Sequence, residues 1–331
     1  MILTHTVTPD EDGMTLEALL RGPMALSGRQ SREAKRGQRV SVDGAAMFAN
    51  QRVRAGQAVR VEPGEYAQSR DVLDSQICLL QSADGSACEA PRERVEGPGG
   101  HASAPSCPPV RVLYEDDALI AVHKPAMLQC HPSPSAPGGS DTLESRVSRH
   151  LGRAVHPVHR LDAETSGIVL FAKLPYAQAH LQRQMQAGTF LKTYRAWVFG
   201  VPSPEIGEID APIARLMPDS FTRVVRADGQ RAVSRYELIE SRDFLGDHRL
   251  ASLVELSPLT GRTHQLRVHM AHIGCPLLGD ARYASERSCA LSQALGLSHH
   301  LLAAVALRFI HPVTGEQVTV RCPAEFGFGQ G

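Results

Sequence analysis

Residues 159–167 read HRLDAETSG: a histidine, an arginine and a carboxylate, then a short polar turn closing on glycine. Apolar runs, VHPV and IVLFAK, lie on either side. A carboxylate just after a strand, on a rigid turn, can stand exposed at the edge of a cleft. A guanidinium within about 4–6 Å favours the ionised form, and an ionised, oriented carboxylate can serve as nucleophile or base at a sugar carbon. Asp162 is therefore the first catalytic candidate, and a solvated ion pair with Arg160 on a surface turn is the competing reading. Glu164 invites a two-carboxylate reading, which an exposed turn residue explains equally well.

A second cluster is TGRTHQLRVH, residues 260–269. Thr260–Gly261 reads as a helix start, with Arg262, His264, Arg267 and His269 crowded into the first turns. Free amides at a helix N-terminus bind phosphate, and arginines beside them strengthen that reading; a basic helix end paired with acidic neighbours is the alternative. His264, His269 and His272 lack the spacing of a familiar ligand set, so no metal is expected. Tyr194, in KTYRAWVFG, alternates with Ala196 and Val198 and reads as core by pattern. Its ring and polar tip also suit stacking on a base or meeting a proton in a pocket.

The elements that must position these residues are outlined by periodicity. VRVLYEDDALIAVHKP predicts two short strands around an acidic turn at Glu115–Asp117. IVLFAK, 168–173, is a buried-type strand. PYAQAHLQRQMQAG predicts a helix from Pro175 to a stop at Gly188, with Ala177, Leu181 and Met185 as its apolar stripe. TYRAWVFG, SRYELIE and LASLVEL alternate as strands, and GRTHQLRVHMAHIG is helical with Leu266, Met270 and Ile273 on one face. ALRFIHPVTGEQVTVRCP has the form of a hairpin turning at Pro312–Gly315. Many strands, few helices and no regular βαβ alternation predict an α+β domain over residues 110–331, on a largely antiparallel mixed β-sheet with flanking helices. Residues 12–64 predict a smaller α+β module: helical TLEALL, basic SGRQSREAKRG, then strand-like RVSVDG and AVRVEPGE. Residues 65–109, rich in Gly, Ser, Ala and Pro, predict a linker.

Composition narrows the class. The 331 residues are ample for a core, and 42% hydrophobic with 21% charged residues is ordinary for a globular protein. No apolar run approaches the roughly 20 residues that span a bilayer, and MILTHTVTPDEDG lacks the order of a signal peptide, so a cytoplasmic location is expected. Seven cysteines without a Cys-x-x-Cys pair argue against a zinc ribbon and a disulfide framework. Lys+Arg and Asp+Glu both number 35, yet residues 21–60 hold nine basic residues against Glu33 and Asp43. Such a local basic face can meet phosphates on a neutral protein.

Together the motifs resemble a known family. HRLDAETSGIVLFAK is similar to the signature of RluA-type RNA pseudouridine synthases, HRLD-x-x-TSG followed by an apolar strand. EDDALIAVHKP, KTYRAWVFG, LTGRTHQLRVHMAHIGCPLLGD and HHLLAAVALRFIHPVTGE resemble its other segments in the family's order, over roughly 110–326. The resemblance implies the pseudouridine synthase fold with a central cleft, and isomerisation of uridine in RNA, ribosomal RNA before transfer RNA. Asp162 would be the catalytic aspartate, Arg267 the arginine paired with the aspartate, and Tyr194 the pocket tyrosine that packs on the uracil and helps remove the proton from the new attachment carbon. Arg160 would enter the RNA stack where the target base leaves, offsetting the few kcal/mol of unstacking that flipping costs. His159, Arg262, His264 and Lys124 would contact RNA or line the cleft. No metal or redox cofactor and a monomeric form are implied. The N-terminal segment resembles, less closely, an S-four-like RNA-binding module, with Asp43–Gly44 in place of its usual Asn-Gly. Met127 stands where the family has glycine, two residues after Lys-Pro. A non-catalytic RNA-binding or ribosome-assembly protein on this fold has no need of Asp162, Tyr194 and Arg267 together, and a triad hydrolase would want a G-x-S-x-G elbow that is missing.

Overall fold

A computed structural model of the chain describes residues 2–62 (except 25, 27 and 38), 109–131 and 141–326. The linker expected over 65–109 thus lies, but for its last residue, outside the described residues. The chain divides into two compact units, Met1–Pro109 and Val110–Gly331. No helix among the described residues is long and apolar enough to cross a membrane.

The first unit contains β1 (Leu3–Thr6), α1 (Leu16–Arg21), α2 (Gly28–Arg36), β2 (Val40–Val42), β3 (Ala45–Ala46) and β4 (Ala58–Val61). Its antiparallel sheet has the order β1-β4-β2-β3. Thr15 caps α1 by accepting from the Ala18 N–H, and Leu16, Leu19 and Leu20 are fully buried. Glu17 accepts from Ser31 and Lys35, tying basic α2 to α1. Asp43 and Gly44 both take positive φ, 51° and 82°, in the tight turn joining β2 to β3. The helix, basic helix and strands follow in the order expected for 12–64, while β1 lies before that range.

The second unit opens with β5 (Arg111–Glu115), β6 (Leu119–Lys124), α3 (Leu143–Leu151), β7 (His156–Pro157), β8 (Ser166–Ala172), α4 (Pro175–Gln186) and β9 (Leu191–Phe199). It continues through β10 (Ile206–Asp210), β11 (Ile213–Arg215), β12 (Arg223–Val225), β13 (Val233–Asp243) and β14 (Leu250–Pro258). It closes with α5 (Gln265–His272), α6 (Glu286–Ala294), β15 (Leu302–Ile310) and β16 (Gln317–Arg321). The main sheet runs β10-β13-β14-β9-β15-β8-β6-β5, with β16 on β15 and β7 on β8. Among the described strands its one parallel pair is β15–β8, which makes the antiparallel sheet mixed as expected.

That parallel pair explains the glycine that ends HRLDAETSG. Gly167 has φ 108°, and any Cβ there would collide with the Ala304 backbone. Only glycine lets the chain after Asp162 lie directly against β15. Towards its end strand β9 is buried on both faces: Tyr194, Ala196 and Val198 share a core with Leu266 and Met270 of α5, and Trp197 packs with Leu278, Leu291 and Leu301.

Helix α4 starts at Pro175 and is followed by left-handed Gly188, as predicted. Its inner face differs in one place. Gln184 is buried because its amide bonds both backbone groups of Ile310, while Met185 is only half-buried. Helix α5 begins at Gln265, not at Thr260–Gly261. The Gln265 carbonyl oxygen accepts from the Thr260 hydroxyl at 2.8 Å and the Arg262 N–H at 2.9 Å, so residues 260–264 wrap that amide as a loop. Met127 keeps the left-handed conformation glycine would take, φ 67°, at a cost of about 1–2 kcal/mol.

Candidate active site

The turn that carries Asp162 is fastened residue by residue. Buried Cys130 meets both backbone groups of Leu161, its Sγ accepting from the N–H at 3.3 Å and donating to the carbonyl at 3.4 Å. The Thr165 N–H donates to the Asp162 carbonyl at 3.1 Å. The Lys124 ammonium donates to the Ala163 carbonyl at 2.6 Å, and Thr165 Oγ1 lies 2.8 Å from His300 Nε2. The backbone on either side of Asp162 is thereby fixed, while its side chain, 33% exposed, reaches an open cavity.

The partner of this carboxylate comes from α5. Arg267, 105 positions further on, sends Nε and Nη2 to Asp280 at 2.7 and 2.8 Å, and Nη1 to Asp162 Oδ2 at 3.2 Å. Asp280 is fully buried, and the two-pronged bond fixes the guanidinium plane so that its free edge faces Asp162. Burial pushes the Asp280 carboxyl up, and the Arg267 bonds and the Arg282 N–H more than reverse this, holding it below the usual range. Burial likewise works against the Arg267 charge, and its two carboxylates outweigh it. The Tyr283 ring lies 5.1 Å from the guanidinium carbon. Arg160, the neighbour in sequence, is exposed and makes no ion pair among the described residues.

These groups line a cavity of about 500 Å³, with Arg160, Asp162, Lys192, Tyr194, Arg262, His264 and Arg267 in its wall. Its volume suits one nucleoside rather than a duplex, falling within the roughly 300–1,000 Å³ of small-molecule sites. Tyr194 is buried at its base, and burial, reinforced by Asp162, pushes its phenol well above the usual range. The ring therefore offers a stacking face and a proton, not a phenolate base. His264 takes φ 57°, a strained conformation for a side chain of this size. Its Nε2 lies 3.8 Å from Asp162 Oδ2 and its Nδ1 2.7 Å from the Tyr283 hydroxyl, which also accepts from the Arg223 N–H. Burial, against the pull of Asp162 and with the push of Arg267, lowers His264 to about 4, so the imidazole is neutral at pH 7.

Two expected contacts are placed elsewhere. Lys124 is completely buried and donates to the carbonyls of Pro125, Leu128 and Ala163, which occupies all three ammonium protons. It fastens the turn and has nothing left for a phosphate. Lys124→Met should therefore lower stability by about 2–4 kcal/mol, read as a fall in melting temperature, because it strands buried carbonyls; an unchanged melting temperature would contradict that role. His159 is also turned inward, its Nε2 accepting from the Leu170 N–H at 3.3 Å and its ring 5.9 Å from Phe190. Burial first, then Lys192, lowers it to about 3. Glu164 is drawn to His300, which holds it at about 2, and does not pair with Asp162 as a second active carboxylate. His269 bonds Ser234 and Ala211 as a core histidine, away from His264. Asp280 and Tyr283 were not singled out from sequence; the signal for Asp280 was a carboxylate closing the apolar run PLLGD, 13 residues after an arginine that burial would otherwise leave short of a partner.

Comparison with known proteins covers the segment that carries Asp162, Tyr194 and Arg267. The family described as RNA pseudouridylate synthase covers residues 118–272. The chain is 37% identical over 227 residues to the dual-specificity RNA pseudouridine synthase RluA of Escherichia coli K12, spanning 67% of this chain and 96% of the relative. The chain belongs to the RluA-type RNA pseudouridine synthases. This pseudouridine synthase is accordingly an isomerase. It is also 38% identical over 223 residues to ribosomal large subunit pseudouridine synthase D of Zymomonas mobilis, covering 63% of this chain and 68% of that one. Among solved structures, human RNA pseudouridylate synthase domain containing 1 superposes with a TM-score of 0.55 at 24% identity, covering 65% of this synthase and 83% of that chain, and shares the fold.

Proposed function

We propose that the cavity around Asp162 converts uridine in RNA to pseudouridine. The observation that carries this reading is the guanidinium of Arg267, fixed by buried Asp280 so that one edge meets Asp162 beside the Tyr194 ring. In the reaction the bond from uracil N1 to the ribose breaks, the uracil turns, and its C5 bonds the same carbon. The proton on C5 is lost and N1 gains one, so product and substrate are isomers. Asp162 acts on the ribose, by attack or by deprotonation. Tyr194 packs on the uracil and keeps its own proton, so the C5 proton passes to Asp162, whose carboxylate is free again once C5 has bonded the ribose, or to water. Confinement serves the chemistry as much as the carboxylate does, since a detached base must not leave before it rebonds.

The target must be flipped from its stack to enter a cavity of this size. Arg160, exposed at the rim and without an ion pair among the described residues, is free to occupy the space it leaves. Arg262, exposed and anchored by one bond to the Arg231 carbonyl at 3.1 Å, remains available to phosphate. Ribosomal RNA is the favoured substrate and transfer RNA the next, supported by the basic segment 21–60 and by the relatives named for ribosomal and dual-specificity modification. We infer that the first unit adds RNA affinity through that segment. Mapping pseudouridine in total RNA from cells with and without this gene is the test. Loss of one or a few ribosomal sites supports the reading, and an identical map in both refutes it.

A further inference from the structure

Lys192 is a further cation in the wall of the active cavity. It stands at the start of β9, two residues before Tyr194, and is half-buried. It makes no hydrogen bond or ion pair among the described residues. A Cβ placed on Gly261 would lie 3.9 Å from its Nζ, so the ammonium sits beside the loop between β14 and α5. Burial lowers its proton affinity, and no ion pair joins it to Asp162 among the described residues. Arg267 already serves that carboxylate.

The position of Lys192 is as telling as its isolation. It lines both the active cavity and a second, larger one of about 1010 Å³, which also shares Pro258 with the first. The second cavity carries Arg195, Arg235, Arg308 and Arg321 against Glu208, Glu237 and Glu255; Arg195 pairs with Glu255 at 3.5 Å and Arg235 with Glu208 at 2.8 Å. Arg308 and Arg321 are exposed and unpaired among the described residues, and Arg195 Nε is buried without a partner. Removing an ammonium from water with no counter-charge is costly. A site that tolerates this is completed when a ligand brings the anion. In RNA every linkage between nucleotides supplies one.

We propose that Lys192 holds a backbone phosphate next to the target uridine, where the strand passes from the active cavity into the second one. This rests on reading the first cavity as the uridine site. It predicts that the cost of the isolated charge is recovered only when RNA is bound.

The test compares the full chain carrying Lys192→Gln or Lys192→Arg with the wild type, using unmodified ribosomal RNA transcribed in vitro. Binding is measured across a salt series, and KM and kcat are measured on the same RNA. Lys192→Gln should raise Kd and KM about tenfold and move kcat less than about twofold. It should also flatten the slope of log affinity against log salt by about 0.7–0.9. Lys192→Arg should restore most of the affinity. Without RNA, the melting temperature of Lys192→Gln should equal or exceed that of the wild type, since an uncompensated charge has been removed. Equal salt slopes for wild type and Lys192→Gln would overturn the proposal. So would a fall in kcat at unchanged KM, which would place the ammonium on the uracil, or a fall in melting temperature, which would make Lys192 structural. These outcomes are separate from the fate of the isomerase reading, because the slope comes from binding, whereas a wild-type chain that forms no pseudouridine in any cellular RNA counts against the reaction itself.

Discussion

Asp162→Asn is expected to lower turnover by roughly 10⁴-fold, the upper end for a positioned proton-transfer or nucleophilic group, while RNA affinity changes by less than about threefold. The asparagine keeps the size of the side chain and an oxygen for Arg267 Nη1, so the local geometry survives. Its amide can neither attack nor accept a ribose proton at neutral pH. Because the backbone of the turn is held by Cys130, Lys124, Thr165 and His300, the substitution should not disturb the fold. The melting temperature and a filter-binding isotherm check those two expectations, and single-turnover assays check the rate.

Arg267→Met should act on both stability and rate. It leaves Asp280 charged, fully buried and deprived of its two-pronged partner, which costs about 3–5 kcal/mol. It also frees Asp162 from the group that orients it, and the loss of one such preorganised electrostatic contact lowers kcat by about 10²–10³-fold. The double variant Arg267→Met with Asp280→Leu separates the two effects. Replacing both members of the buried pair with apolar side chains should return much of the lost melting temperature, yet leave kcat as low as in the single variant. Recovery of activity together with stability would show that Arg267 serves folding alone. Arg267→Lys is not a conservative control, since a point charge cannot bond both Asp280 oxygens and still meet Asp162.

The sequence is most legible where one element repeats a pattern. Alternation in KTYRAWVFG and the paired strands of VRVLYEDDALIAVHKP describe β9, β5 and β6 because side-chain direction along a strand follows from position alone. Proline and glycine mark the ends of α4 for a similarly local reason. Helix α5 starts later than the pattern predicts because the Gln265 side-chain oxygen takes up the donors that a first helical turn at Thr260 would leave free, and that amide is held in turn by distant Val233 and Ser234 of β13. Short, partly exposed strands such as β10 to β12 carry too few inward residues to show a period.

The site follows the same division. Asp162, Tyr194 and Arg267 were expected from the family's motifs, and the structure sets them around one cavity. What each neighbour does was not legible. Lys124 and His159 carry groups that suit RNA, but burial decides whether such groups are offered: the Lys124 ammonium is consumed by three backbone carbonyls, and the His159 ring is turned inward with its Nε2 on the Leu170 N–H. Asp280 and Tyr283 escaped notice because a supporting residue is defined by what it touches. The pairing of Asp162 with Arg267 in preference to adjacent Arg160 is a fact about the packing of α5 against the sheet, which no local pattern contains.

Release of tritium from RNA labelled at uracil C5 reports the isomerisation itself, because C5 loses its hydrogen only when that carbon becomes the attachment point. In single-turnover reactions on its target RNA, the wild-type chain should release one tritium for each pseudouridine formed, and Asp162→Asn should bind the same RNA yet release none above background. Near-normal release by Asp162→Asn would contradict the account.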